Sequence, residues 1–171
     1  EVGVFDDASV SASGRLGGGE VFVGGGLQGR DASLPNARAV FFGRDASLRA
    51  DALERGDGGR IILWRDAATR VSGTLSARGG APGGNGGCIE TSGGWLDVRP
   101  RQLDVTAPRG RAGNWLLDPY DLTIEDDFYG GSGYGYDANF TATGDNAYIL
   151  TSTLNTALAT GAHVTVSTGG A

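Results

Sequence analysis

One two-strand unit recurs three times along the chain, and this recurrence restricts the fold more than any other feature. The first copy runs Val10-Ser11-Ala12-Ser13-Gly14, a glycine turn, then Glu20-Val21-Phe22-Val23. The second is Leu48-Arg49-Ala50-Asp51-Ala52, the turn Gly56-Asp57-Gly58-Gly59, then Arg60-Ile61-Ile62-Leu63. The third is Leu75-Ser76-Ala77-Arg78-Gly79, a turn through Gly87, then Cys88-Ile89-Glu90-Thr91. Each copy pairs two short strands of period-2 alternation across a glycine turn. A unit this short cannot bury its own apolar face, so repeated units must stack, as in a solenoid.

A hexapeptide, Gly-Arg-Asp-Ala-Ser-Leu, also occurs at 29–34 and 43–48, and Trp64-Arg65-Asp66-Ala67-Ala68-Thr69 reads as a degraded third copy. Short strands with frequent turns would also suit an antiparallel sandwich. Recurrence of one residue type at one phase, as at Ala12, Ala50 and Ala77, favours stacked parallel rungs, with small inward residues alternating with Val, Leu and Ile. Rungs of roughly 20–25 residues would give about seven of them over on the order of 35 Å, with an open sheet edge at each end inviting pairing. The fold expected is all-β, a right-handed parallel β-helix. Glycine, at 32 of 171 residues, suits the close backbone approaches such a coil demands.

The last third differs. Residues 1–124 carry the β-helix pattern, whereas 125–147 form a Gly/Tyr/Asp-rich stretch with weak alternation, read as one loop or hairpin excursion. Residues 148–171 predict a short helix and a resumed rung. Thr151 or Ser152 would cap that helix, Leu154 and Leu158 share a face at i,i+4, Gly161 closes it, and Ala162, Val164 and Val166 then alternate in a strand.

Several ordered motifs resemble the filamentous-haemagglutinin-like large exoproteins of two-partner secretion. They are Gly17-Gly18-Gly19-Glu20-Val21-Phe22-Val23-Gly24-Gly25 with Gln28-Gly29 and Pro35-Asn36-Ala37, Gly56-Asp57-Gly58-Gly59-Arg60-Ile61-Ile62-Leu63-Trp64, Thr69-Arg70, Ser76-Ala77-Arg78-Gly79-Gly80, Gly86-Gly87-Cys88-Ile89-Glu90-Thr91-Ser92-Gly93, and Trp115-Leu116-Leu117-Asp118-Pro119-Tyr120-Asp121-Leu122-Thr123-Ile124. Cys88 is a departure, standing where the family more often has a bulky apolar residue. The resemblance covers nearly the whole chain. It implies a right-handed β-helix, export through an outer-membrane two-partner transporter, a secreted or bacterial cell-surface location, and a role in adhesion, aggregation or biofilm matrix. The rest of the same long chain would then adjoin both ends.

Charge narrows the partners. The net charge is −6, and all 14 basic residues are arginine. Every one of them lies in residues 1–111, beside 13 carboxylates, while 112–171 hold seven carboxylates and no arginine, which sets a boundary near 112–125. An acidic chain is a poor match for nucleic acid, which needs clustered positive charge. Beginning at Glu1 without a Met or an apolar run of about 18 residues, the chain is expected to be a segment with no membrane span, its export signal upstream.

Chemistry-bearing motifs are few. Gly24-Gly25-Gly26-Leu27-Gln28-Gly29 fits G-x-G-x-x-G, but Pro35 leaves no room for the helix a dinucleotide site needs, so the run reads as a turn. Absence of lysine excludes a P-loop and Schiff-base chemistry. Cys88 and His163, each single, read as an inert thiol and a solvent-facing strand residue rather than a nucleophile or metal pair. Asp118, Asp121, Asp126 and Asp127 are the candidates for a β-helical polysaccharide-degrading enzyme, although Asp118-Pro119 reads as a turn; the chain is expected not to be an enzyme. No cofactor is expected; loop oxygens would suit calcium, without any EF-hand or nonapeptide array. The best ligand contacts are Tyr129, Tyr134 and Tyr136, flat rings beside carboxylates that can stack on a polysaccharide or surface glycan. Arg99, Arg101, Arg109 and Arg111 form a local basic cluster suited to acidic polysaccharide, and Asn139-Phe140-Thr141 is a glycosylation sequon.

Overall fold

The computed structural model describes residues 1–126 and 147–168. Its strands cycle through three all-parallel sheets, which makes the chain a parallel β-helix. Each rung takes one strand from each sheet in chain order. The first holds β1 (Val2–Val4), β2 (Ser9–Ser11) and β3 (Glu20–Val23). The second holds β4 (Ala37–Phe42), β5 (Ser47–Arg49) and β6 (Arg60–Leu63). The third holds β7 (Arg65–Val71), β8 (Thr74–Ser76) and β9 (Cys88–Ser92), and the fourth β10 (Trp95–Val98), β11 (Gln102–Asp104) and β12 (Asn114–Asp118).

Sheet III, ordered β3-β6-β9-β12-β15, runs unbroken through five rungs once β15 (His163–Val166) is added. Its register superposes Val21, Ile61, Ile89, Trp115 and Val164 in one inward row. Sheet II stacks Val10, Leu48, Leu75 and Leu103 in the same way. Ala12, Ala50 and Ala77 follow as the next row, and Ala50 and Ala77 are fully buried. The two-strand unit read from the sequence is thus the sheet II and sheet III part of each rung, in the expected phase.

The sequence reading missed the third strand. A full rung takes 26 to 28 residues between Arg60, Cys88 and Asn114, longer than the 20–25 expected. Five rungs therefore form among the described residues instead of about seven, and the six strands of sheet I span about 24 Å at the usual strand spacing. The hexapeptide copies are not equivalent either. Gly43–Leu48 turns a corner into β5, Trp64–Thr69 enters β7, and Gly29–Leu34 lies in the long segment between β3 and β4.

The extra length sits in loops between sheets II and III. Each is pinched at its base by a glycine N–H donating to a carbonyl of the alanine row or its continuation: Gly19 to Ala12, Gly59 to Ala50, Gly87 to Ala77 and Gly113 to Val105, all at 2.7 Å. A Cβ on Gly58 would strike Ala77 O and sit 2.6 Å from Gly87 N. No side chain fits there, because adjacent rungs touch backbone to backbone.

The end of the chain departs from the cycle. β13 (Leu122–Glu125) does not pair with β10; β14 (Ala147–Leu150) is interposed, giving the order β1-β4-β7-β10-β14-β13 in sheet I. A helix, α1 (Thr151–Ala159), then stands between β14 and β15, in the chain position that a sheet II strand holds in the other rungs. The predicted helix is present with two corrections. Leu150 is the N-cap and no side chain caps it, since Thr151 and Ser152 already lie in the first turn. Leu154 packs on the core together with Ala157, whereas Leu158 is exposed, so the inward pair is i,i+3. Gly161, at φ +83, closes the helix by donating to Leu158 O, as expected.

Candidate functional site

Outward-facing positions of sheet III carry the chemistry. Between two inward rows runs the row Phe22, Ile62, Glu90, Leu116 and Thr165. Ile62 and Glu90 are completely buried although Ile62 lies outside the interior cluster. Glu90 lies under the 13-residue segment 24–36, a strap closed at its base by Ala37 N–H donating to Gly24 O at 2.6 Å.

Glycines let the strap lie flat. Gly24 and Gly29 hold positive φ values of +82 and +62, and Cβ atoms on Gly25 and Gly29 would enter the ring of Trp64. Asn36 donates to Gly29 O at 3.2 Å and to Asp66 Oδ1 at 3.1 Å, and Ser33 closes an Asx turn on Asp31. The G-x-G-x-x-G match falls within this strap as a short 3-10 turn over Leu27–Gly29, followed by no helix.

Gln28, itself at φ 52, is the strap's contact with the sheet. Its backbone N–H donates to both Glu90 oxygens at 3.1 and 3.2 Å, and its amide Nε2 donates to Asp118 Oδ2 at 3.2 Å. Asp118 pairs in register with Ser92, two residues beyond Glu90, so both carboxylates lie beneath the strap. Burial is the main force on Glu90 and raises its pKa to about 7, with the Asp118 charge adding to the rise; Ser92, the Gln28 N–H and Arg60 act against it. Asp118 is 4% exposed and its Oδ1 has no hydrogen-bond partner among the described residues.

Two carboxylates thus share one water-excluded place, and burial favours the neutral form of Glu90 there. The pair was missed in the sequence, where Glu90 reads as one residue of a strand. The usable signal was a carboxylate in register with Phe22 and Ile62, preceded by an unusually long glycine-bearing connection.

The expected candidates are dispersed. Tyr129, Tyr134, Tyr136, Asp127 and the sequon at Asn139 lie outside the described residues. Asp121 and Asp126 are exposed beyond the corner that Asp118-Pro119 turns, while Asp118 faces Glu90 and the strap. Arg99 and Arg101 sit between β10 and β11, paired with Asp97 at 2.8 Å and Asp45 at 3.4 Å, whereas Arg109 and Arg111 lie in the loop before β12. The four arginines thus divide between two corners of one rung.

Cys88 and His163 share an outward row, Glu20, Arg60, Cys88, Asn114 and His163, with Asn114 between them. Two strand spacings, about 9.6 Å, separate them, too far for a nucleophile and its base. Burial pushes the Cys88 thiol pKa up, which suits an inert thiol. Among the described residues no group of three or more His, Cys, Asp and Glu could hold a metal ion, and no helix is long and apolar enough to cross a membrane.

Along the same row runs a shallow groove of about 360 Å³, floored by Gly18, Gly19, Gly58, Gly59, Gly86 and Gly87 and flanked by Glu20, Arg60, Cys88 and Asn114. It lies parallel to the coil axis. No family model matches the chain, and a search of curated proteins finds no significant relative.

Proposed function

We propose that the chain is a structural and adhesive segment of a secreted or surface-attached bacterial fibre, acting in adhesion, aggregation or biofilm matrix and not as an enzyme. The observation that carries this reading is sheet III, whose five strands stack in register without interruption and give a stiff rod. The ordered motifs that resemble filamentous-haemagglutinin-like exoproteins support the location, and with it export through an outer-membrane transporter and continuation of the coil at both ends.

Beads coated with the purified segment, offered to bacterial and host cells, test the reading. Adherence above that of albumin-coated beads is expected. Equal adherence, together with failure of antibodies against the segment to label intact producing cells, would overturn it.

A second reading, a glycan-binding surface on the stalk, draws on the axial groove. A linear polysaccharide could lie along it, with hydroxyls meeting Glu20, Arg60 and Asn114. Binding to a polysaccharide panel that is lost on Arg60→Ala would support the groove. Loss on replacing Tyr129, Tyr134 and Tyr136 instead would place recognition on the excursion.

A further inference from the structure

Three features of the strap belong together: a carboxylate with no exposure, a neighbouring buried carboxylate, and polar atoms beneath the strap that find no partner. Besides Asp118 Oδ1, Trp64 Nε1 beneath the strap and Asn36 Oδ1 at its own end find no partner among the described residues. Each unmet group disfavours the closed form, because an open strap would give it to water. The strap itself is held through few bonds: Gln28 to Glu90 and Asp118, Asn36 to Asp66, and the pinch at Ala37. A segment so held opens below the cost of global unfolding.

We propose that segment 24–36 is a proton-operated latch: a proton on Glu90 holds it against sheet III, and loss of that proton loosens it, uncovering Glu90 and Trp64. The charged groups that face Glu90 are Asp118 from β12 and Arg60 from β6, with the Cys88 thiol on its own strand. The strap faces it with a backbone N–H, while Arg30 and Asp31 of the strap are exposed. Closing the latch on ionised Glu90 gains the Gln28 N–H bond but removes the charge from water and sets it beside Asp118; burial is the larger effect, so closure favours the neutral acid.

The sign follows from linkage. The closed form holds the proton up to about pH 7, whereas the open, solvated carboxyl releases it near its ordinary 4.5. The closed-to-open ratio is therefore constant below pH 4.5, falls up to about tenfold per pH unit to about pH 7, and levels off above.

Amide hydrogen exchange of the Gln28 N–H from pH 4 to 8.5, corrected for the intrinsic pH dependence of exchange, reads this ratio. Expected is a protection factor below those of the core amides of Leu75 and Ile89 at every pH, falling on the order of a hundredfold between pH 4.5 and 7. Glu90→Gln should remove the fall. Asp118→Asn should keep it but move its midpoint to lower pH, which tests the same proton without altering Glu90. A flat wild-type profile would overturn the latch, as would Gln28 exchanging only together with the core. An undiminished fall in Glu90→Gln, or an unmoved midpoint in Asp118→Asn if the first variant does not fold, would also overturn it.

Discussion

Trp115 of the fourth rung donates its indole N–H to the hydroxyl of Thr91 in the third, at 2.9 Å, and both side chains lie wholly inside the coil. This bond binds neighbouring rungs through an interior whose surrounding inward positions stack apolar side chains. Thr91 occupies the inward row of Val23, Leu63 and Leu117, so its hydroxyl is the one polar atom in that row up to Leu117.

Thr91→Val keeps the shape of the side chain and leaves the Trp115 N–H buried without an acceptor. The expected cost is about 1–3 kcal/mol in urea unfolding. A loss within about 0.5 kcal/mol, the scatter of surface substitutions, would show that the indole finds another acceptor.

Ala50 and Ala77 face each other across one strand spacing with no exposure. Enlarging Ala77 to Leu should overpack the interior and cost about 1–3 kcal/mol. Ala12, half-buried in the first rung, should tolerate the same change with a smaller loss. Equal losses at both positions would mean that the row does not line a common interior.

Gly58→Ala places a methyl group against Ala77 O and Gly87 N of the next rung. Separation of the two rungs should lower stability by about 2 kcal/mol or more. Ala81→Ser, at an exposed position in the next loop of the same kind, should change it by no more than about 0.5 kcal/mol. Thermal unfolding followed by circular dichroism distinguishes the two.

Stability should fall as the solution becomes less acid. Glu90 binds its proton more tightly folded than unfolded, so its contribution is complete below about pH 4.5 and is lost as the pH rises to about 7. The shift corresponds to about 3 kcal/mol as an upper size. Urea midpoints measured at pH 4.5, 6 and 7.5 should decline in wild type and decline less in Glu90→Gln. Parallel declines in the two would assign the effect to other carboxylates.

What the sequence made legible was what repeats at one phase. Val10, Leu48 and Leu75, and Val21, Ile61 and Ile89, superpose in the structure as their alternation requires. Sheet I was harder to see, because its inward positions mix Val40 with Thr69 and its strands follow corners of unequal length. The hexapeptide misled because similar corner chemistry, an Arg-Asp pair beside small residues, serves different corners of the coil. The strap and the Glu90–Asp118 pair were not legible, since they depend on contacts 62 and 90 residues apart that no local period encodes.

The interposed strand bears on the order in which the coil can be wound. β13 leaves the chain before β14 but takes its place in sheet I only beyond it, so its partner does not exist until residues 147–150 are available. Four rungs can close in the order in which their residues come free. The fifth cannot: a chain delivered end first must hold Leu122–Glu125 unplaced, or docked on the wrong neighbour, until the later strand slides between. Completion at this end is a discrete, delayed event, timed by how quickly the intervening stretch follows.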